Sequence, residues 1–194
     1  MSNEVKFREI KTEIRVLGID DRPFTPRSKG LVDVIGVVYR GGYWLDGVMK
    51  TSIQIDGLDS TERITTMITN SPHYHQLRVV MLNGITFAGF NVVDIKRLFK
   101  DTKLPVIALT KEGPNMNEIK AALKKLPNWR ERWRAVKAAG DIFTLKTKDD
   151  AEFLSMQISG ILRQDAEKIV KMTSTRSSLP EALRVAHLIA SGLI

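Results

Sequence analysis

The sequence predicts a single α/β domain, a mixed β-sheet with helices on both faces. Three observations lead there. The 194-residue chain fits one domain with a core large enough to fold alone. Its apolar segments come first as three β-rich runs separated by short turns, then as short apolar runs alternating with helical patterns. That is the order of an antiparallel sheet extended by crossover-linked strands. Finally, Val79-Val80-Met81-Leu82 is an uninterrupted apolar run ended by Asn83-Gly84, the mark of a central strand buried on both faces.

In chain order, residues 1–12 are polar and read as an extended, flexible lead-in. Residues 13–19 form the first strand, which runs into Asp20-Asp21. Residues 22–30 hold two prolines, a glycine and three basic residues, hence a loop. Residues 31–39 and 43–55 are the second and third strands, and the Gly41-Gly42 pair between them signals an antiparallel hairpin. A helix over 60–70 follows, with Asp59 and Glu62 at capping-box spacing. Pro72 and a His73-Tyr74-His75 loop separate it from the strand ending at Asn83. Then come a helix over 91–101, a strand over 104–109, and helices over 115–126 and 129–139, the last closed by Gly140. Residues 142–145 make a short strand, and 147–160 show no clear pattern. Helices over 165–172 and 180–190 finish the chain, Pro180 sitting in the first turn.

This β-β-β-α-β-α-β-α order is the plan of the ribonuclease H-like fold, in which the first and fourth strands lie side by side. Asp20 and Asn83 then meet at the carboxyl edge of the sheet, where open α/β sheets gather ligands.

Composition narrows the chemistry. With no cysteine there is no disulfide, zinc-thiolate site or thiol nucleophile. A metal must be held by carboxylates, amides, carbonyls or histidines, a donor set suited to Mg²⁺ or Mn²⁺. No run of about 18 apolar residues exists to span a membrane, and the charged N-terminal stretch lacks an apolar signal core, so the expectation is a cytoplasmic protein. The nucleotide-binding G-x-x-x-x-G-K-[ST] and G-x-G-x-x-G patterns are missing, as are the G-x-S-x-G and H-E-x-x-H motifs. Kinase, P-loop, dehydrogenase and serine-hydrolase readings therefore fall away.

The net charge is +8, and residues 96–137 alone, with twelve Lys or Arg against four Asp or Glu, account for all of it. A localised basic surface is the footprint of a phosphate backbone, and its candidate contacts are Lys111, Lys120, Lys124, Arg130 and Arg134. A solvated helix surface is the plainer reading. Trp129 and Trp133 share a helix face, suited to core packing or to stacking on a base.

Three segments carry a family resemblance: Gly18-Ile19-Asp20, Asn83-Gly84-Ile85 and the Leu179-Pro180-Glu181-Ala182-Leu183-Arg184-Val185-Ala186-His187 helix. Each resembles a segment of endonuclease V. From about Arg15 onward the chain is similar to an archaeal family of uncharacterised proteins allied to endonuclease V and labelled endonuclease dU. The segments at residues 39–47 and 76–82 show this best. The resemblance implies a Mg²⁺- or Mn²⁺-dependent endonuclease that nicks nucleic acid, DNA ahead of RNA, near a deaminated base. It places the strand-ending aspartate at Asp20, the glutamate at Glu62 within residues 56–62, and the histidine at His187. The family's second aspartate falls on Asn83. An amide there ligates without formal charge, so cleavage is expected to be feeble unless Asp21 or Asp94 substitutes.

Each candidate has a plainer role beside the functional one. Asp20-Asp21 can cap a turn, Glu62 can pair with Asp59, Asp94 can cap its helix, and His187 can be a core histidine. Lys111 can be a solvated side chain. Gly84 to Gly89 can form a backbone loop for a flipped base or a tight strand-to-helix connection. The alternative function is a nucleic-acid-binding protein of the same fold whose catalytic centre has lapsed.

Overall fold

The computed structural model describes residues 4–26, 28–148 and 152–193. In chain order the strands are β1 (Arg15–Asp21), β2 (Leu31–Arg40), β3 (Trp44–Gln54), β4 (Val79–Asn83), β5 (Thr86–Phe87), β6 (Asn91–Val92), β7 (Val106–Thr110), β8 (Phe143–Leu145) and β9 (Leu154–Ser159). The helices are α1 (Ser60–Thr69), α2 (Ile95–Thr102), α3 (Met116–Leu123), α4 (Trp129–Ala138), α5 (Arg163–Thr173) and α6 (Glu181–Gly192). Among the described residues, seven strands form one sheet in the order β3-β2-β1-β4-β7-β9-β8, while β5 and β6 pair separately.

The first three strands are antiparallel, β4 lies parallel to β1 on its free side, and β7 lies parallel to β4. This is the ribonuclease H-like plan expected from element order. Alternation along β1 and β4 divides the core. Leu17, Ile19, Val80 and Leu82 face one apolar cluster with Ile64 of α1 and Leu98 of α2. Val16, Val79 and Met81 face the other, with Ile169 of α5 and Leu183 of α6. Helices thus cover both faces. A smaller cluster of Val92, Leu123 and Val136 holds α3 against α4, with Trp129 and Trp133 packed on it, so both tryptophans are packing residues.

Four expectations need correction. Residues 147–160, without a readable pattern, contain β9, which pairs antiparallel with β7. Its alternation is masked by Ser155 and Gln157, which sit on one face. Residues 91–94 are not helical: Asn91-Val92 pair with β5, and α2 begins only after Asp94, whose carboxylate accepts from the Lys96 and Arg97 amides. The lead-in is not free of the body, since the Val5 amide donates to the Gly160 carbonyl and Ile10 is buried. Residues 1–3 lie outside the described part. The Asp59–Glu62 capping box does not form either. Asp59 Oδ1 is occupied by the Gln54 amide and the Asn91 side chain, and Asn91 Oδ1 caps α1 by accepting from Ser60 N at 3.0 Å. A neighbouring chain segment has replaced the local cap.

Candidate active site

The site is assembled by one close approach of backbone to backbone. A Cβ on Gly18 of β1 would overlap the Ala182 carbonyl group and lie 2.6 Å from Leu183 N, so α6 rests directly on the strand. An isolated glycine inside a strand marks such a contact. From Gly18 the strand advances about 6.7 Å to Asp20, and from Leu183 the helix advances about 6 Å to His187. The matched rises set the two side chains together, with His187 Nδ1 2.8 Å from Asp20 Oδ2. Parallel pairing of β1 with β4 brings in the third member, and Asn83 Nδ2 donates to Asp20 Oδ1 at 3.1 Å. Asp20, Asn83 and His187 thus lie at one point, the first two as element order leads one to expect.

Chemistry fixes how each group is turned. Asp20 is 3% exposed. As a carboxylate it only accepts hydrogen bonds, so the proton of a neutral His187 sits on Nδ1. Nε2 is then left with a lone pair toward solvent. The His187 side chain is 62% exposed, which makes Nε2 accessible. By the same logic Asn83 turns its NH₂ to Asp20 and its carbonyl oxygen away. Asp20 Oδ1 also accepts from the Asp21 amide at 3.0 Å.

Asp21 points to the opposite face of the sheet. Its Oδ2 accepts from Ala88 N at 2.7 Å, and burial pushes its carboxyl up to about 6 despite that bond. Asp56 grips the same loop by accepting from the Phe90 amide at 2.8 Å. Asp56 and Ala88 both hold positive φ, at 48° and 42°, a conformation that costs non-glycine residues energy. Arg132 closes the arrangement. This guanidinium is 3% exposed and donates to the carbonyls of Asp56, Gly57 and Phe90 at 2.5–2.6 Å. Desolvation holds its pKa below the ordinary arginine value. The loop from Gly84 to Phe90 is thereby clamped from three sides.

Other expected residues distribute unevenly. Lys111, exposed just past β7, lines an open groove with Asn83, Arg184 and His187. Arg184 is paired with the buried Glu181 at 2.7 Å. Gly84 adopts φ +77° and borders a cavity on the other face of the sheet. Lys120 lies over Trp133 and Arg130 over Trp129, at 5.3 and 5.1 Å from the ring centroids. Lys124 and Arg134 are exposed on the same helical pair.

Glu62 stands exposed in the first turn of α1. Among the described residues, no hydrogen bond or ion pair joins it to Asp20, Asn83 or His187. Asp21 and Asp94 are engaged elsewhere and do not stand in for a second aspartate. Among the described residues, no three His, Asp or Glu side chains form a group able to hold a metal ion.

Reading by residue type missed Asp56 and Arg132. Asp56 carries no signal, because its role follows from a left-handed turn. Arg132 did carry one, since it shares a helical stripe with Trp129, Trp133 and Val136, where a charge on the packing side demands a buried acceptor.

A family described as Endonuclease dU matches residues 12–194. A UPF0215 protein of Methanothermobacter thermautotrophicus is 52% identical over 188 residues, covering 96% of this chain and 91% of that protein. A crystal structure of a protein of unknown function from Archaeoglobus fulgidus superimposes with a TM-score of 0.84 at 38% identity, over 93% of this chain and 98% of that one. Ciona intestinalis endonuclease V, solved in complex with a 24mer DNA containing an inosine followed by a ribo-adenosine, shares the fold. Its TM-score is 0.56 at 15% identity, with 89% and 82% of the two chains covered. A strand-end aspartate, an Asn-Gly turn and a Pro-Glu helix carrying a histidine at its middle, in a chain matched nearly throughout, place this protein in the archaeal endonuclease dU family, allied by fold to endonuclease V.

Proposed function

We propose that the chain is an endonuclease that cuts nucleic acid beside a deaminated base, with DNA ahead of RNA as substrate. The observation that carries this reading is the convergence of Asp20, Asn83 and His187 at the carboxyl ends of β1 and β4. The groove that Asn83 and His187 line also holds Lys111 and Arg184. The DNA bound to the Ciona endonuclease V supports a nucleic-acid substrate for the shared fold.

In this reading His187 carries the proton transfer. Its Nε2 can take a proton from an attacking water or return one to the departing oxygen, while Asp20 orients the ring and stabilises the imidazolium. Lys111 counters the phosphate charge in the groove, while Arg184 is engaged by Glu181. A hard cation fits the oxygen donors at the sheet edge once the Asn83 amide, whose NH₂ faces Asp20, turns over: the Asp20 carboxylate and the Asn83 carbonyl would then hold Mg²⁺ or Mn²⁺. Mg²⁺ accepts so sparse a set because it keeps most of its waters and takes substrate phosphate oxygens. Bound there, the ion would neutralise charge on the phosphate and acidify a water. With a single carboxylate the affinity is low and cleavage slow.

The test is nicking of oligonucleotides containing dU or dI with Mg²⁺ or Mn²⁺. Slow nicking by the wild type, faster nicking by Asn83→Asp and none by Asp20→Ala is the expected result. No nicking by either wild type or Asn83→Asp would sink the enzyme reading.

One observation favours a second reading, a binding protein whose catalytic centre has lapsed. The Asp20 oxygens are already filled by three protein donors. That protein would bind nucleic acid with strong salt dependence. Charge reversal at Lys120, Lys124, Arg130 and Arg134 would abolish the binding, and Asn83→Asp would restore no cleavage.

A further inference from the structure

Helices α2 and α4 lie against each other and lead away from the catalytic edge. Because α2 joins the parallel strands β4 and β7, it descends from the carboxyl edge of the sheet to the amino edge. α4 starts near Asp56 and Gly57, which Arg132 holds. It is followed by Ala139-Gly140, which line an open cavity of about 650 Å³ together with Lys96, Phe99, Lys100 and Lys103. Spacings of four and three put these lysines on one face of α2, over a rise of about 10 Å. All three are exposed, and among the described residues no hydrogen bond or ion pair engages their ammonium groups. Glu4 and Asp141 also line the cavity but do not pair with them. The helix itself does not account for the stripe. A cation in the last turn suits the helix dipole, whereas one in the first turn opposes it, and Lys96 and Arg97 stand in the first turn. Lys103 holds φ 59°, a left-handed cap position usually given to glycine. Phe99 packs on Gly160, where a Cβ would overlap its ring, and so provides an apolar wall. Such walls beside like charges focus their field. On α4 the exposed residues Arg130, Arg134 and Lys137 repeat the same spacing.

We propose that Lys96, Lys100 and Lys103 form a second station for a phosphate backbone, remote from His187. Its occupant is the arm of a duplex whose altered base lies at the His187 groove. The proposal rests on the endonuclease reading for that placement. The reach follows from the fold. Lys103 precedes β7, and Lys111, which lines the groove, follows it. The eight steps between them span at most about 26 Å of extended chain. At about 3.4 Å per base pair, a duplex arm covers that distance in about eight base pairs. A shorter arm ends along α4, and a longer one reaches the lysines. Ammonium groups on phosphates carry no sequence information; they position a duplex and add affinity. The station therefore acts on arm length and salt, and leaves the reacting centre untouched.

The experiment is equilibrium binding by fluorescence anisotropy, in EDTA across a salt series, so that cleavage plays no part. The probes are two labelled DNA duplexes, each with one central dI. One has arms of about five base pairs, closed by a hairpin loop, and the other has arms of about 16. The slope of log K against log salt counts phosphate contacts, at about 0.9 for each. Combining Lys96→Gln, Lys100→Gln and Lys103→Gln should lower the long-duplex slope by about 2.7 and weaken its binding about tenfold at low salt. The short duplex should bind the variant and wild type equally, which also shows that the variant is folded. Lys168→Gln with Lys171→Gln, on α5 at the other face of the sheet, should leave both duplexes bound as by wild type. Unchanged long-duplex binding by the triple variant overturns the proposal. Equal losses on the two duplexes, or an equal loss from the α5 pair, also overturn it. Nicking of the short duplex with Mg²⁺ or Mn²⁺, without any arm-length effect, removes the station and leaves the endonuclease reading standing. An arm-length effect without nicking of either duplex does the reverse, and failure to bind any duplex defeats both.

Discussion

Replacing Asn83 by aspartate converts the contact at the centre of the site from attraction to repulsion. The amide nitrogen lies 3.1 Å from Asp20 Oδ1, and a carboxylate oxygen would take its place. Two unit charges at that separation repel by about 5 kcal/mol at an effective dielectric near 20, and by about 1.3 kcal/mol in bulk water. Protonation limits the penalty, because holding one carboxyl neutral at pH 7, when carboxylic acids ordinarily titrate near pH 4, costs about 4 kcal/mol. Asn83 is half-buried and Asp20 buried, so the expected loss lies between, at about 2–4 kcal/mol. For a chain of this size that lowers Tm by roughly 5–15 °C. Scanning calorimetry in EDTA should show this loss, which should shrink as pH falls toward 4 and one carboxyl protonates. Millimolar Mg²⁺ or Mn²⁺ should restore the variant and move wild type far less, since a ligand stabilises in proportion to its binding of the folded state. If Asn83→Asp is as stable as wild type in EDTA, or if metal shifts both equally, the Asp20–Asn83 contact does not control the site as described.

Gly18→Ala should cost about 2–3 kcal/mol in urea unfolding, because the new methyl meets the Ala182 backbone and α6 must lift. It should also reduce nicking more than Ile189→Ala, which alters the same helix without touching β1. Arg132→Met should destabilise by about 3–5 kcal/mol, since several backbone carbonyls lose a charged donor in a dry site. Arg132→Lys should recover little of that loss, because an ammonium cannot span the fork. Asp21 yields a pH signature in EDTA. Its folded pKa, about 6, lies above the ordinary aspartate value of 3.8, so between those values the folded state binds more protons than the unfolded state. Stability should therefore fall as pH rises from about 4 to 6, by up to about 3 kcal/mol. Asp21→Asn should flatten that slope; an unchanged slope would assign it to another group.

The part of the site visible in the sequence was the part determined by regular elements. The apolar run 79–82, the Gly41-Gly42 hairpin signal and the crossover order were enough to place β1 beside β4, and Asp20 then had to meet Asn83. His187 needed more, because a histidine on an apolar helix looks like core until the helix is docked. Gly18 is the residue that docks it. The Asp59–Glu62 spacing suggested a local cap that does not form, because Asp59 is spent on Gln54 and Asn91. Such long-range hydrogen bonds leave no trace in local spacing. Arg132 belongs to the same class: it matters for a backbone carbonyl, of Phe90, that only the tertiary fold brings near.

An asparagine at position 83 changes where the site obtains its order and its charge. With aspartate there, the two strand ends would repel and a cation would be needed to hold them. With asparagine, Asp20 is satisfied by the Asn83 amide, the Asp21 backbone and His187, and the imidazole is oriented before any ligand arrives. On the endonuclease reading, that order would come with a weaker hold on a divalent ion. Attraction for a phosphate backbone must then come from protein cations, and the sequence supplies them in one place, with all of the +8 net charge carried by residues 96–137. Part of that charge, Lys120 and Arg130, is stacked on indole rings, and Lys111 reaches the groove beside His187. Affinity for nucleic acid in this protein should therefore depend steeply on monovalent salt and only weakly on Mg²⁺. In a two-aspartate site the balance would be reversed, because metal would both order the centre and bridge it to the phosphate.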